Sequence, residues 1–140
     1  MNFLIVIPAR FKSSRYPGKP LADINGKSMI QRVWEKCVIA AGSNNVLVAT
    51  DDERIINHCS ENGILSVLTS DECLTGSDRV YEVALNNHAD IYINVQGDEP
   101  MINPEDIKKV IEFSRKNNNN VVNAMCPIEE ERDFISPNIP

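Results

Sequence analysis

An α/β fold with a mainly parallel, doubly wound sheet is predicted by three features of the sequence. Short apolar runs alternate with helical repeats, those runs are apolar at successive positions rather than at every second one, and helix-start signals recur between them. The run Phe3-Leu4-Ile5-Val6-Ile7 is apolar throughout, as a strand buried on both faces must be. Residues 8–27 read as a loop. Ser28 with Gln31 three positions on is the pattern of a capping box, and Met29, Ile30, Val33, Trp34, Cys37, Val38 and Ala41 recur at helical spacing until Gly42 stops the helix. That spacing places Trp34 in the core.

Residues 46–50 predict a second strand, and Asp51, Asp52 and Glu53 beyond it suit the positive end of a helix carrying Ile55, Ile56 and Cys59. A third strand is expected over residues 64–68. Ser77 is expected to cap a helix that runs to about residue 86, and residues 91–95 predict a fourth strand. Asn103-Pro104 supplies a cap and a first-turn proline to a helix bearing Ile107, Val110 and Ile111. The asparagines at 117–120 read as a polar loop, residues 121–125 as a fifth strand, and residues 127–140 combine acids and prolines without a regular period.

With 140 residues, 42% of them hydrophobic, the chain fits one domain. A chain of this length buries roughly two thirds of its unfolded surface, so it needs no disulfide or structural metal. Cys37, Cys59, Cys73 and Cys126 form no CxxC pair, and reduced core thiols are the expectation. The first apolar run is too short to span a bilayer and no Lys or Arg precedes it, which predicts a cytoplasmic protein without membrane insertion. Net charge is −6, which disfavours a general binder of nucleic acid or anionic membrane. The charge is unevenly spread: residues 1–50 hold seven Lys and Arg against two acids, residues 51–100 two against eleven.

Ligands of an open parallel sheet sit outside the carboxyl ends of its strands, so the loops after the first and fourth strands are the places to look. The first reads PARFKSSRYPGKP. Arg10, Lys12, Arg15 and Lys19 fall within ten residues, and no acid precedes Asp23. A solvated basic loop is one reading; a polyphosphate site is the other, favoured by the serines, prolines and glycine that fix such a loop and let backbone amides approach phosphate oxygens. A Walker A motif ending at Ser28 would need glycine where Leu21 stands, and there is no GxGxxG, so neither common phosphate loop is present. The second loop, VQGDEP, offers Asp98 as a turn residue or as a carboxylate for Mg²⁺, with Gln96 as a hydrogen-bonding group. In TGSDR, Ser77 and Arg79 read as a cap and a surface ion pair, or as nucleotide contacts at a helix start. His58 and His88 fall near helix ends with no companion Ser, Cys or metal-ligand spacing.

At these loops the sequence resembles the cytidylyltransferases that activate 3-deoxy-manno-octulosonate (Kdo) for lipopolysaccharide synthesis. IPARFKSSRYPGKPLADINGKSMI, VATDDERI, LTGSDRVYEV, IYINVQGDEPMI and VNAMCPIEEERDF carry the resemblance over essentially the whole chain. It implies a Rossmann-like nucleotidyltransferase that joins CTP and Kdo to give CMP-Kdo and pyrophosphate with Mg²⁺. Arg10, Arg15 and Lys19 would hold the triphosphate, Pro8 and Ala9 would lie against the nucleotide through their backbone, and Ser77 and Arg79 would sit near cytidine. Gln96 would lie near base or sugar and Asp98 would ligate the metal; Lys19 and Asp98 are the expected catalytic pair. Family members are longer, and their second half supplies another metal-binding aspartate, much of the sugar pocket and the homodimer contacts. Residues 1–140 are thus expected to be the nucleotide-binding part of one domain, truncated against the family pattern. Two other functions fit the same residues: a cytidylyltransferase for another acidic sugar, sialic-acid-like or amino-modified, and a noncatalytic CTP-binding fragment.

Overall fold

The computed structural model of the chain describes residues 1–12, 16–117 and 119–125, so Arg15, Cys126 and residues 127–140 lie outside the described part. In chain order the elements are β1 (Phe3–Ala9), a 3-10 turn (Lys19–Leu21), β2 (Asp23–Ile24), β3 (Lys27–Ser28), α1 (Met29–Ala41), β4 (Val46–Thr50), α2 (Glu53–Glu61), β5 (Ser66–Leu68), α3 (Gly76–Asn86), β6 (Ile91–Asn94) and α4 (Pro104–Lys116). Four strands make one parallel sheet in the order β5-β4-β1-β6. Ile5 is the register point, level with Val46 of β4 on one side and Ile93 of β6 on the other.

Because β1 is flanked on both edges, alternate residues fill two separate cores. Ile5, Ile7 and Ala9 join Ile30, Val33, Cys37, Ile55, Cys59, Ile107 and Ile111 beneath α1, α2 and α4, while Val6 meets Ala49 and Val83 beneath α3. Helices therefore cover both faces, as the unbroken apolar strands require. Cys37 and Cys59 are free thiols in the larger core, and burial pushes their pKa up to about 12 and about 11, so they stay protonated. Trp34 packs against the same core.

Local signals explain the element ends. Ser28 Oγ accepts the Gln31 N–H at 3.2 Å and Gly42, at φ +79°, ends α1; Asn103 caps α4 ahead of Pro104. Three expectations need correction. The loop over residues 8–27 contains the small β2–β3 hairpin, turned by Asn25 and Gly26, both at positive φ, and latched to α1 by Arg32, whose Nε donates to the Ile24 carbonyl at 2.7 Å. The cap of α3 is Thr75, not Ser77: Thr75 Oγ1 accepts the Asp78 N–H at 3.1 Å and the Asp78 carboxylate accepts the Thr75 N–H at 2.8 Å.

The fifth strand is absent. Residues 121–125 take no regular structure, Val121 and Met125 are 94% and 91% exposed, and residues 121–124 lie beside β6 without joining its ladder. An apolar run holds as a strand only where side-chain packing and burial reward it, and here the two end residues have neither.

Thr75→Ala is expected to lower stability by about 1 kcal/mol, as for loss of a helix N-cap. Ser77→Ala should stay within about 0.5 kcal/mol of the wild type. Urea denaturation of the two variants compares them directly.

Candidate functional site

The chain runs from β1 outward through β4 to β5, then returns to place β6 on the opposite side of β1. Strand order reverses at β1 and β6, and a cavity of about 480 Å³ opens outside their carboxyl ends, as the topology demands. Its wall is drawn from three stretches distant in sequence: Pro8, Ala9, Arg10 and Lys12 with Lys19 and Pro20, then Gly76 and Arg79, then Gln96 to Asp98. Two glycines permit this convergence. A Cβ on Gly97 would stand 2.7 Å from the Pro8 carbonyl oxygen, and one on Gly76 would stand 3.1 Å from the Pro8 ring. Only a bare backbone fits at Gly97.

The described lining residues include four cations, Arg10, Lys12, Lys19 and Arg79, against one carboxylate, Asp98. Lys19 Nζ lies 2.7 Å from Asp98 Oδ2, with the side chains 40% and 50% exposed, so this pair crosses the cavity mouth in contact with solvent. An exposed pair of this kind adds little stability and exchanges partners readily. The Arg10 guanidinium donates to the Cys73 carbonyl, binding the first loop to the third. That third loop is stapled to α3: the Glu82 carboxylate accepts the Ser70 N–H at 2.9 Å and the Cys73 thiol at 3.0 Å.

Arg79 is neither a surface ion pair nor a free cation. It is fully buried, its guanidinium pairs with Asp51 at 3.1 Å and donates to the Thr69 hydroxyl, and its Nε has no protein partner. Asp51, expected among the acids at the start of α2, thus ties the end of β4 to α3. Breaking a buried pair leaves an uncompensated charge, which ordinarily costs about 3–5 kcal/mol.

Of the residues singled out from the sequence, the structure brings together Pro8, Ala9, Arg10, Lys19, Arg79, Gln96 and Asp98. Gln96 also borders a neighbouring cavity of about 680 Å³, and Ser77 lines that one instead. Arg15 is outside the described residues. Sequence reasoning missed Gly76 and Gly97 as packing requirements, and it missed a partner for His58, whose Nε2 lies 2.7 Å from Ser28 Oγ. With the hydroxyl already accepting the Gln31 N–H, the pair clamps the last turn of α2 to the start of α1. No group of three or more His, Cys, Asp or Glu fit to hold a metal ion occurs among the described residues. Nor is any helix among them long and apolar enough to cross a membrane.

The family model described as cytidylyltransferase matches residues 4–139. The chain belongs to the cytidylyltransferase family. Its curated relatives include 3-deoxy-manno-octulosonate cytidylyltransferases of Elusimicrobium minutum, 40% identical over 96% of this chain, and of Escherichia coli, 46% identical over 88%. A Shewanella sp. ANA-3 relative named 8-amino-3,8-dideoxy-manno-octulosonate cytidylyltransferase is 49% identical over 79% of this chain. These matches span 55%, 50% and 46% of the relatives, so the chain covers about half their length. Among solved structures, a CMP:2-keto-3-deoxy-manno-octonic acid synthetase complexed with CTP aligns with a TM-score of 0.80 at 47% identity, covering 84% of this cytidylyltransferase chain and 48% of the other. A cytidylyltransferase of Leptospira borgpetersenii, 23% identical with a TM-score of 0.73, shares the fold; the match covers 84% of this chain and 50% of that one.

Two predictions follow from the geometry. Gly97→Ala should destabilise the protein by about 1–3 kcal/mol, the usual size of overpacking, because its methyl group would press on backbone rather than on a flexible side chain. Chemical denaturation measures the loss. The second concerns pH. Asp52, beside Arg54, Asp78, bonded to Thr75, and Glu82, bonded to the Cys73 thiol and the Ser70 N–H, are each held below the ordinary carboxylate range. A lowered folded pKa contributes stability that is present above the unfolded value, near about 4, and is lost as pH falls through the folded one. Melting temperature should hold from about pH 7 to 5 and drop below about pH 4. Asp78→Asn should make that drop shallower.

Proposed function

We propose that the protein is the CTP-binding part of a cytidylyltransferase that transfers CMP to Kdo in the cytoplasm, for lipopolysaccharide synthesis. The observation that carries this reading is the cation-rich cavity at the carboxyl ends of β1 and β6, in a chain that aligns at a TM-score of 0.80 with a CTP-bound synthetase. Arg10 and Lys19, with Lys12 beside them, suit a triphosphate, and Arg15 takes the same role by resemblance. Pro8 and Ala9 present backbone to the nucleotide. Arg79, with an N–H left unpaired, faces the cytidine together with Gln96, and Ser77 approaches it from the neighbouring cavity.

In the reaction the anomeric hydroxyl oxygen of Kdo bonds to the α-phosphorus. The bond from that phosphorus to the bridging oxygen breaks, its electron pair leaves with pyrophosphate, and the hydroxyl proton passes to solvent. The described lining residues offer positive charge and one carboxylate rather than a nucleophile, so their part is to bind, orient and neutralise. A Mg²⁺ ion fits this donor set, because Mg²⁺ is commonly held by one or two carboxylates together with substrate phosphates and water, and Asp98 is the carboxylate at hand. When bound, such an ion withdraws charge from the phosphoryl oxygens. Lys19, released from Asp98, would be free for phosphate. The name of the Shewanella relative favours a second reading in which the acceptor is the 8-amino sugar.

Arg10→Ala or Lys19→Ala is expected to weaken CTP binding by about 1.5–3 kcal/mol, the size of a lost charge-assisted hydrogen bond. Asp98→Asn should remove the gain in affinity that Mg²⁺ brings and leave metal-free CTP binding intact. Titration calorimetry with and without Mg²⁺ reads both. Pyrophosphate release with Kdo, its 8-amino analogue and a sialic acid, on this chain joined to the remaining half of a relative, assigns the acceptor. Wild-type-like CTP binding in both cation variants would return the loop to a solvated surface.

A further inference from the structure

The loop that carries the phosphate-binding cations has a support outside the cavity, and its key residue is not among those lining the site. The Arg54 guanidinium lies 3.2 Å from the centroid of the Phe11 ring. Asp52 holds it there: Asp52 Oδ1 accepts Arg54 Nε at 2.8 Å and Asp52 Oδ2 accepts Nη2 at 2.7 Å, while Oδ1 also accepts the Arg54 backbone N–H at 3.0 Å as the cap of α2. The Phe11 ring in turn backs Gly18, where a Cβ would stand 3.1 Å from ring atom Cζ, and Gly18 donates its N–H to the Phe11 carbonyl at 2.8 Å. Gly18 has φ +73°, so the chain closes tightly at this point. Lys12 follows Phe11 and Lys19 follows Gly18, and both line the cavity.

We propose that Arg54 is a positioning residue for nucleotide binding: stacked on Phe11 and anchored by Asp52, it fixes the base of the loop from which Lys12 and Lys19 reach the triphosphate. This inference rests on the nucleotide reading above. A cap alone would not require it. Asp52 already closes the first turn of α2 through a backbone N–H that any residue but proline provides at 54, and the Arg54 side chain is 59% exposed. Its location over the ring connects a helix outside the site to the loop inside it. A planar guanidinium on an aromatic face is a directed contact, so it constrains the ring's place as well as adding attraction.

The test compares CTP with CMP by titration calorimetry, because a loop that grips the β- and γ-phosphates affects only the former. Arg54→Ala is expected to raise the CTP dissociation constant about two- to fivefold, the size of an exposed cation–π contact, with CMP affinity unchanged. Arg54→Lys should recover part of the loss. Phe11→Leu should produce a similar loss, and the double variant should bind no more weakly than the weaker single one, since both remove the same contact. Arg115→Ala, which removes the corresponding stack on Phe3 from the end of α4, serves as the control and should bind CTP normally. Unchanged CTP affinity in Arg54→Ala, or equal weakening of CTP and CMP, would overturn the proposal while leaving the nucleotide site standing. A wild-type chain that binds no CTP would overturn both.

Discussion

β1 must be paired along both edges and yet deliver its chain into the loop that lines the cavity, and the rest of the molecule follows from meeting both demands. Ladders to β4 and β6 leave β1 no solvent-facing side, so every residue from Ile5 to Ala9 is buried and the chain can leave only beyond Ala9. The neighbouring exit, from β6, must pass close by, and it does so by bringing Gly97 against the Pro8 carbonyl. Any side chain at 97 would push the two exits apart. Asp98, the next residue, would then be carried away from Lys19. The sheet therefore sets the spacing between the basic loop and Asp98, and a glycine makes that spacing as short as backbone allows.

The uneven charge along the sequence takes on a spatial meaning in this arrangement. The basic first third does not form a uniformly positive surface, because two of its cations are met by groups from the middle of the chain: Lys19 by Asp98, and Arg10 by the carbonyl of Cys73 in the loop that Glu82 braces. These interactions are half-exposed or use only one donor of a guanidinium with five, so they orient the cations without exhausting them. Both cations line the cavity.

Legibility in the sequence followed the length and burial of each signal. Five apolar residues in succession identify β1, and seven at helical spacing identify α1, because burial on two faces or one leaves a periodic trace. The hairpin over Asp23 to Ser28 has two-residue strands, too short for any period, although its Asn-Gly turn was a readable sign. Thr75 and Ser77 are both plausible caps by residue type; Asp78 three positions after Thr75 decides between them, and that pairing is visible only when the capping box is sought from both ends. The site loops were legible through topology, which assigns ligands to strand ends. The Ser28–His58 clamp and the Arg54–Phe11 stack were not, since each joins residues more than 25 positions apart whose types carry no mutual signal.

Arg79 shows what this fold must supply to bury a cation. Burial removes it from water, so its charge needs compensation, and Asp51, Thr69 and Ser70 provide it from the ends of β4 and β5. Those bonds occupy the terminal nitrogens and leave Nε as a buried N–H without a protein partner. A buried donor left unsatisfied costs about 1–3 kcal/mol. An apolar residue at 79 would avoid that cost but would strand Asp51 without its partner. The arginine at 79 is thus a structural cation that ties the ends of β4 and β5 to α3, compensated at its terminal nitrogens and not at Nε.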